Sequence, residues 1–494
     1  MTKNNLLELL QSGAENWNAK MEKEPFIPDF SNQTITVKNI AGFRFPQGVL
    51  FHGSRFPDGV DFSDSFFGGH LVGFSNTHFS GTGPDFTGAV FEAENVSFAN
   101  SSFNSSDGIK FEHCTFDVQK TLNFKECSFH GDFVAFTYSS FMGEFILFNG
   151  SKFNSKRVSF VSTTIDCTEL LLSKLELADR GIMEWANSIV RCEDLMFENG
   201  QFENSNLIFN PSILKVSYFS CRNSLFQNLL IKPVDMEHKE SVVKFCLEDM
   251  CISEKLDISD SRFTDINKFS LVGSKILSVL NMSGSSFCNV PDLRQTYVSN
   301  HLSVGDIFLY DGGRVKNPDH DEIEVLRRLR EVAKKSEDRK TELDILSFEF
   351  DTQLQLSEIP KMRRFLIFMY KLMSNYGRSI LAPIMSLLFL IAISSVVFFL
   401  NVSDSHQILL GLNEDPTCTE RLIKLANWSL TLSVSNSIPF AGWSSGIRPI
   451  MVNQLYGGVL NAPIMVQVMA YFQSIGSVVL LFLIGLGFRN NFKL

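Results

Sequence analysis

Phenylalanines recur in pairs between residues 74 and 165. The two members of a pair are five residues apart, and the pairs recur every twelve or thirteen residues. Neither the helical period of 3.6 nor the strand period of 2 produces this spacing. Because self-similarity at a fixed period is typical of repeat proteins, the pattern predicts a solenoid. The pairs are Phe74/Phe79, Phe86/Phe91, Phe98/Phe103, Phe111/Phe116, Phe124/Phe129, Phe136/Phe141, Phe148/Phe153 and Phe160/Ile165.

A second pattern accompanies the pairs. The residue two positions before the second member is small, whereas the one two positions before the first member is mostly larger and apolar. Residues two apart on an extended segment face the same way, so each ring shares the interior with one of these neighbours. A small residue beside each ring helps to fill that interior at high density. The small residues are Thr77, Ala89, Ser101, Cys114, Cys127, Ser139, Ser151 and Thr163.

Stretches such as Asp85-Phe86-Thr87-Gly88-Ala89-Val90-Phe91 resemble the Phe-rich variety of the pentapeptide-repeat family. The resemblance implies a right-handed quadrilateral β-helix with ladders of phenylalanine inside. The gap of seven or eight residues between pairs departs from the strict repeat of five. We interpret it as two or three additional residues at alternate corners, so that two pairs make one coil of about 24 residues. The solenoid is expected over residues 36–290, after an N-terminal segment of residues 1–35.

Beyond residue 290 the composition changes. Residues 291–320 are predicted to be a linker, because 311–318 are rich in turn-forming residues. Two apolar stripes at helical spacing follow and predict an amphipathic helical hairpin within 321–378. A membrane domain is then predicted over 379–494, because residues 379–403 and 464–488 carry no charge and are long enough to cross a bilayer as helices.

Basic residues flank the outer ends of both predicted crossings. Lys361, Arg363 and Arg364 precede the first one, and Arg489 follows the second. The positive-inside rule therefore places both termini in the cytoplasm, with the chain as a multi-pass protein of the inner (plasma) membrane. The lipid bilayer is its expected partner.

Part of the segment between the crossings is uncharged but polar. Residues 425–447 are rich in Ser, Thr and Asn, and Pro439 and Gly442 interrupt any helix that begins there. A half-helix followed by irregular polar chain is tolerated at membrane depth only when it is buried in protein or lines water. The pattern predicts a re-entrant segment.

Residues 321–494 resemble the membrane module of many bacterial pentapeptide-repeat proteins, which is similar to the pore domain of two-crossing ion channels. The matching parts are residues 326–333, Tyr376-Gly-Arg-Ser379, Pro439-Phe440 and residues 486–491. The resemblance implies a homo-oligomer, with a tetramer expected by analogy. Because Ser435-Asn436-Ser437-Ile438-Pro439 stands where potassium channels carry Thr-Val-Gly-Tyr-Gly, potassium selectivity does not carry over.

The sequence leaves two functions open. One is a membrane channel whose cytoplasmic solenoid is a sensor or interaction domain, and the other is a non-conducting, membrane-anchored scaffold whose solenoid binds a protein partner. A polar stripe on the second crossing favours the channel, although such residues also mediate helix packing. The candidate pore-lining residues are Ser433, Ser435, Asn436, Ser437, Pro439, Gln467, Ser474 and Ser477.

The composition of the chain argues against several other classes of function. The net charge of −10 argues against a nucleic-acid-binding protein, and a surface that mimics DNA would require a continuous acidic face. The nine cysteines contain no Cys-x-x-Cys pair, so we expect neither a disulfide framework nor a metal site, and Cys114 and Cys127 are interpreted as reduced core thiols. No motif for catalysis or phosphate binding is present, and the chain is predicted not to be an enzyme and to bind no cofactor.

Overall fold

The computed structural model describes residues 3–236, 243–264, 266–299, 301–305, 307–309, 320–356, 358–402, 418–438 and 442–492. The chain divides into two compact units, Met1–Phe348 and Glu349–Leu494. The first unit is a β-solenoid with helices before and after it, and the second is helical.

The solenoid consists of short parallel strands in three sheets. Sheet A holds Arg44–Phe45, Val49–Leu50, Phe66–Gly73, Val90–Ser97, Thr115–Asn123, Ser140–Leu147, Thr164–Leu171, Ile189–Met196, Ile213–Ser220, Asp235–Met236, Lys244–Cys246 and Lys268–Ser270. Sheet B holds Arg55–Phe56, Val60–Asp61, His78–Phe79, Pro84–Asp85, Ser102–Asn104, Ile109–Lys110, Ser128–Ala135, Lys152–Ser159, Glu176–Leu177, Ile182–Ala186, Gln201–Asn210, Leu225–Ile231, Cys251–Asp257, Lys275–Ile276, Val279–Asn281, Tyr297–Val298 and His301–Ser303. Sheet C holds Arg262–Phe263, Ser286–Phe287 and Phe308–Leu309.

The register of these strands fixes the length of one coil. Phe67 pairs with Phe91, Phe91 with Phe116, and Phe116 with Phe141. Equivalent positions are therefore 24 or 25 residues apart, and one coil contains two phenylalanine pairs, as the spacing predicts. Sheet A follows a main path of ten strands, so the solenoid has about ten turns.

The strands continue beyond the boundary predicted at residue 290. Ile276 pairs with Val298, and the strand Ser286–Phe287 pairs with Phe308–Leu309, within what was predicted to be a linker. Beyond residue 290 the buried residues Leu293, Val298 and Val304 are aliphatic, so these coils lack the aromatic spacing that marks the first half of the solenoid.

The interior of the first coils is made of stacked rings. The prediction that the paired residues between Phe74 and Ile165 point inward is confirmed, since none is more than 1% exposed. The rings form four ladders with centroids 4.1–5.2 Å apart, which is the spacing of favourable aromatic stacking. The ladders are Phe30-Phe51-Phe74-Phe98-Phe124-Phe148, Phe62-Phe86-Phe111-Phe136-Phe160-Trp185, Phe45-Phe67-Phe91-Phe116-Phe141 and Phe56-Phe79-Phe103-Phe129-Phe153.

The small residues of the repeat do more than fill space. The hydroxyl of Ser139 donates a hydrogen bond to the carbonyl oxygen of Phe111 in the preceding coil at 2.6 Å, and accepts one from the backbone N–H of Cys114 at 2.8 Å. The hydroxyl of Ser151 makes the same pair of bonds with Phe124 and Cys127. Because these groups are buried, each bond satisfies a backbone group that would otherwise be costly to enclose.

Helices cover both ends of the solenoid. At the beginning lie α1 (Lys3–Gln11) and α2 (Ala14–Lys23), and the fully buried indole of Trp17 donates a hydrogen bond to the carbonyl of Arg44 at 3.0 Å. At the other end lies α3 (His320–Lys335), whose predicted apolar stripe, including Leu326 and Leu329, joins the same hydrophobic core.

The helix α4 (Arg339–Gln355) crosses the boundary between the two units. The second unit continues with α5 (Lys361–Ser374), α6 (Leu381–Leu400), α7 (Cys418–Ser437), α8 (Gly442–Tyr456), a short 3₁₀ turn at Val459–Asn461, and α9 (Ile464–Phe492). The helices α6 and α9 are long and apolar enough to cross a membrane, with mean hydropathies of 2.5 and 2.0.

The polar segment between these two helices is more helical than its sequence predicts. The helix α7 ends at Ser437, close to the predicted interruption between Asn436 and Gly442, but the chain is helical again from Gly442, where irregular polar chain was expected to follow the half-helix. Packing of α8 beside α7 outweighs the low helix propensity of its Ser and Gly residues, as tertiary contacts often do.

Candidate functional site

A buried glutamine joins three helices of the second unit. The side-chain nitrogen of Gln473, on α9, lies 2.8 Å from the carbonyl oxygen of Ser433, from the Ser433 hydroxyl and from the Ser437 hydroxyl, all on α7. The Ser433 hydroxyl in turn donates to the carbonyl of Ile391 on α6 at 2.7 Å. All three side chains are fully buried, so the network fixes how α7 packs against both long helices.

Sequence reasoning missed Gln473. The stripe through Gln467 was preferred because it contains Ser474 and Ser477 at helical spacing. A polar amide inside an otherwise apolar stretch was the available signal, since such a group requires a partner in hydrocarbon surroundings.

Two hydrogen bonds to α6 show where α7 and α8 lie along its length. The Ser433 bond to Ile391 lies halfway along α6, because Ile391 is the eleventh of its 20 residues. The Tyr456 hydroxyl, at the end of α8, donates to the carbonyl of Phe398 in the last turn of α6 at 2.6 Å. The helices α7 and α8 therefore form a hairpin whose closed end lies beside the middle of α6, about 15 Å from either end at 1.5 Å per residue.

Asn436 lies next to the closed end of this hairpin and has unusual surroundings. Its side chain is 1% exposed, and within the described part of the chain neither its amide nitrogen nor its amide oxygen has a hydrogen-bond partner. A buried polar group without a partner is rare and calls for an explanation.

The Asn436 side chain borders a cavity of about 210 Å³ between α7, α8 and the start of α9. Gln467, Arg448 and Tyr471 contribute its other polar groups. The remaining wall is formed by Leu432, Pro449, Val452, Val459, Ala462, Val466 and Ala470. The cavity therefore offers a few polar groups on an apolar wall, which is typical of a site that binds a small polar species.

Arg448 is the charged group of this cavity. It is exposed on α8, and no carboxylate among the described residues forms an ion pair with it. Because it shares the cavity with Asn436, it lies near the level of the closed end of the hairpin.

The eight candidate pore-lining residues do not form one group in the structure. Asn436 and Gln467 border the cavity, and the amide of Gln467 also donates to the carbonyl of Ala462 at 3.0 Å. Ser433 and Ser437 belong to the Gln473 network, and Pro439 lies outside the described residues. The hydroxyl of Ser435 donates to the carbonyl of Leu432, and that of Ser477 donates to the carbonyl of Ser474. The Ser474 hydroxyl itself is buried and has no hydrogen-bond partner among the described residues.

The solenoid presents little reactive chemistry. Burial raises the pKa of the Cys127 thiol to about 12, and it also raises the pKa of the Cys114 thiol well above its ordinary value. Both thiols donate to backbone carbonyls, those of Phe98 and Phe86. They are therefore protonated and poorly nucleophilic in the folded protein. Among the described residues no group of three or more His, Cys, Asp or Glu side chains could hold a metal ion.

Comparison with known proteins gives no relative. The chain matches no protein-family model, no curated protein sequence and no solved structure.

Proposed function

We propose that this chain is a channel-like membrane protein that works as a homo-oligomer, with the second unit forming the ion pathway and the solenoid serving as a cytoplasmic sensor or interaction domain. The observation that carries the proposal is the hairpin of α7 and α8, whose closed end lies beside the middle of α6. If α6 crosses a hydrocarbon core of about 30 Å, this end lies near the centre of the bilayer. A re-entrant hairpin of this kind, rich in hydroxyls and an amide, requires protein or water around it.

Arg448 adds a second argument. A charged side chain deep in the bilayer costs about 2.5–3.5 kcal/mol on insertion scales when it faces lipid. Contact with water or with a neighbouring subunit removes this cost. Because one subunit with two crossings cannot enclose a water-filled pathway, several copies must surround a shared axis, and we propose a tetramer by analogy with two-crossing channels.

For the solenoid we propose the pentapeptide-repeat architecture, right-handed and four-sided. Four ladders of inward rings and the five-residue spacing within each pair support this architecture. The solenoid and both termini would lie in the cytoplasm of a bacterial cell, below the inner membrane. The basic residues at the outer ends of α6 and α9 support this topology, and free cysteines suit a reducing compartment.

One observation favours the second candidate, a non-conducting scaffold that binds a protein partner through the solenoid. Ser433 and Ser437 are fully buried within a single subunit and bond to Gln473, which is the arrangement expected if the polar residues only hold the helices together.

Ion flux into liposomes that contain the full chain separates the two candidates. Asn436→Leu removes the free amide and narrows the cavity, so it should abolish flux while the protein still inserts and keeps its oligomeric mass in mild detergent. Asn427→Leu is the matched control, because Asn427 is exposed on the same helix. A monomer in mild detergent together with no flux from the unmodified chain would favour the scaffold.

A further inference from the structure

The charge of the cavity lining suggests which ions the pathway admits, an inference that rests on the proposed channel function. Of the described residues that line the cavity, Arg448 alone has a basic or acidic side chain, and Asn436, Gln467 and Tyr471 contribute amide and hydroxyl groups. A ring of subunits would bring one such guanidinium from each copy to the pathway.

The helix ends near the cavity do not counteract this charge. The C-terminal end of α7 carries a partial negative charge, and the N-terminal end of α8 carries a partial positive charge of similar size. These two ends, Ser437 and Gly442, are only five residues apart at the closed end of the hairpin, so their fields largely cancel. The sign of the local potential is therefore set by Arg448.

The neutral groups also suit an anion. Neither the N–H groups nor the oxygen of the Asn436 amide has a partner among the described residues, so the amide can turn its N–H donors to an anion that the charge of Arg448 attracts. Positively charged side chains and N–H donors are the groups that anion pores use.

We infer that the pathway admits small anions such as chloride and excludes monovalent cations. Arg448 is the residue that determines this selectivity, and the Asn436 amide donates hydrogen bonds to the passing anion.

Reversal potentials of the full chain in planar bilayers under a KCl gradient test the inference. The unmodified chain should show a chloride-to-potassium permeability ratio of about 10 or more, because a fixed positive charge in a cleft with low-dielectric walls attracts anions and repels cations. Arg448→Gln should lower the ratio to about 1, and Arg448→Glu should invert it, while Arg448→Lys should keep the preference for chloride because it keeps the charge. Arg489→Gln is the matched control, since it removes one positive charge outside the cavity lining.

The outcomes separate the two proposals. A potassium-selective current from the unmodified chain would overturn the inference and leave the channel function standing, and it requires no variant to fold. An unchanged ratio in Arg448→Gln would overturn it in the same way. The absence of any current would overturn the channel function and the inference with it.

Discussion

Replacing Phe98 with alanine should strongly lower the free energy of local unfolding in the coils around it. The ring is fully buried, stacks on Phe74 at 4.9 Å and on Phe124 at 4.8 Å, and meets Phe86 and Phe111 edge-on at 5.8 Å each. Truncation of a buried Phe to Ala costs about 3–5 kcal/mol. Because aromatic pairs contribute about 0.5–1.5 kcal/mol beyond area burial, we expect the upper end, near 5 kcal/mol.

Hydrogen exchange of backbone amides, followed by mass spectrometry on the full chain in detergent, measures this cost. Since 1.4 kcal/mol corresponds to a factor of ten, exchange in the coils around Phe98 should accelerate by about three orders of magnitude or more. Each coil contacts only its neighbours, so the effect should weaken along the solenoid.

Tyr138→Ala provides the control. Tyr138 is 61% exposed and, within the part of the chain that the structure describes, stacks only on His113, at 5.1 Å, so its loss should change exchange by less than about tenfold. If Phe98→Ala and Tyr138→Ala had similar effects, the rings inside the solenoid would not be the main source of its stability, and the reasoning would be refuted.

Two further predictions concern polar groups. Gln473→Leu removes the bonds that join α7 to α9, each worth about 0.5–1.5 kcal/mol, so limited proteolysis within α7 should become faster than in the control Gln467→Leu. Burial alone would raise the pKa of Asp257, but hydrogen bonds from Lys255 and others outweigh it and hold the pKa below its ordinary value. Because the folded pKa is lowered, this carboxylate stabilises the solenoid at neutral pH, and the contribution should fade below about pH 4. Thermal unfolding between pH 6 and pH 3 should show this loss, and Asp257→Asn should reduce it.

The solenoid was predictable where one residue type repeats. Between Phe74 and Ile165 the spacing of the phenylalanines predicts the coil length and the buried face, because a ring at each inward position makes the sequence periodic. From residue 167 the regular phenylalanine spacing is lost although the strands continue. Trp185 extends one ladder, and Leu177 pairs with Phe153 in another. An interior requires apolar volume, and several residue types supply it.

The second unit was predictable only in part. The absence of charge over two long stretches identified α6 and α9, because length and polarity are local properties. The contacts of Gln473 with Ser433, and the shared cavity of Asn436 and Gln467, depend on how separate helices rotate against one another. The spacing of residues along one helix does not determine how that helix is rotated against its neighbours.

The covered ends of the solenoid limit how copies of this chain can associate. The first and last coils of a parallel solenoid present edges of unpaired N–H and C=O groups, which are templates for the addition of further strands. Here α1 and α2, with the indole of Trp17, cover the first coil, and the apolar stripe of α3 joins the core at the last. These helices therefore stand where a further strand would have to pair, and end-to-end extension of the solenoid by another copy of the chain is blocked at both ends.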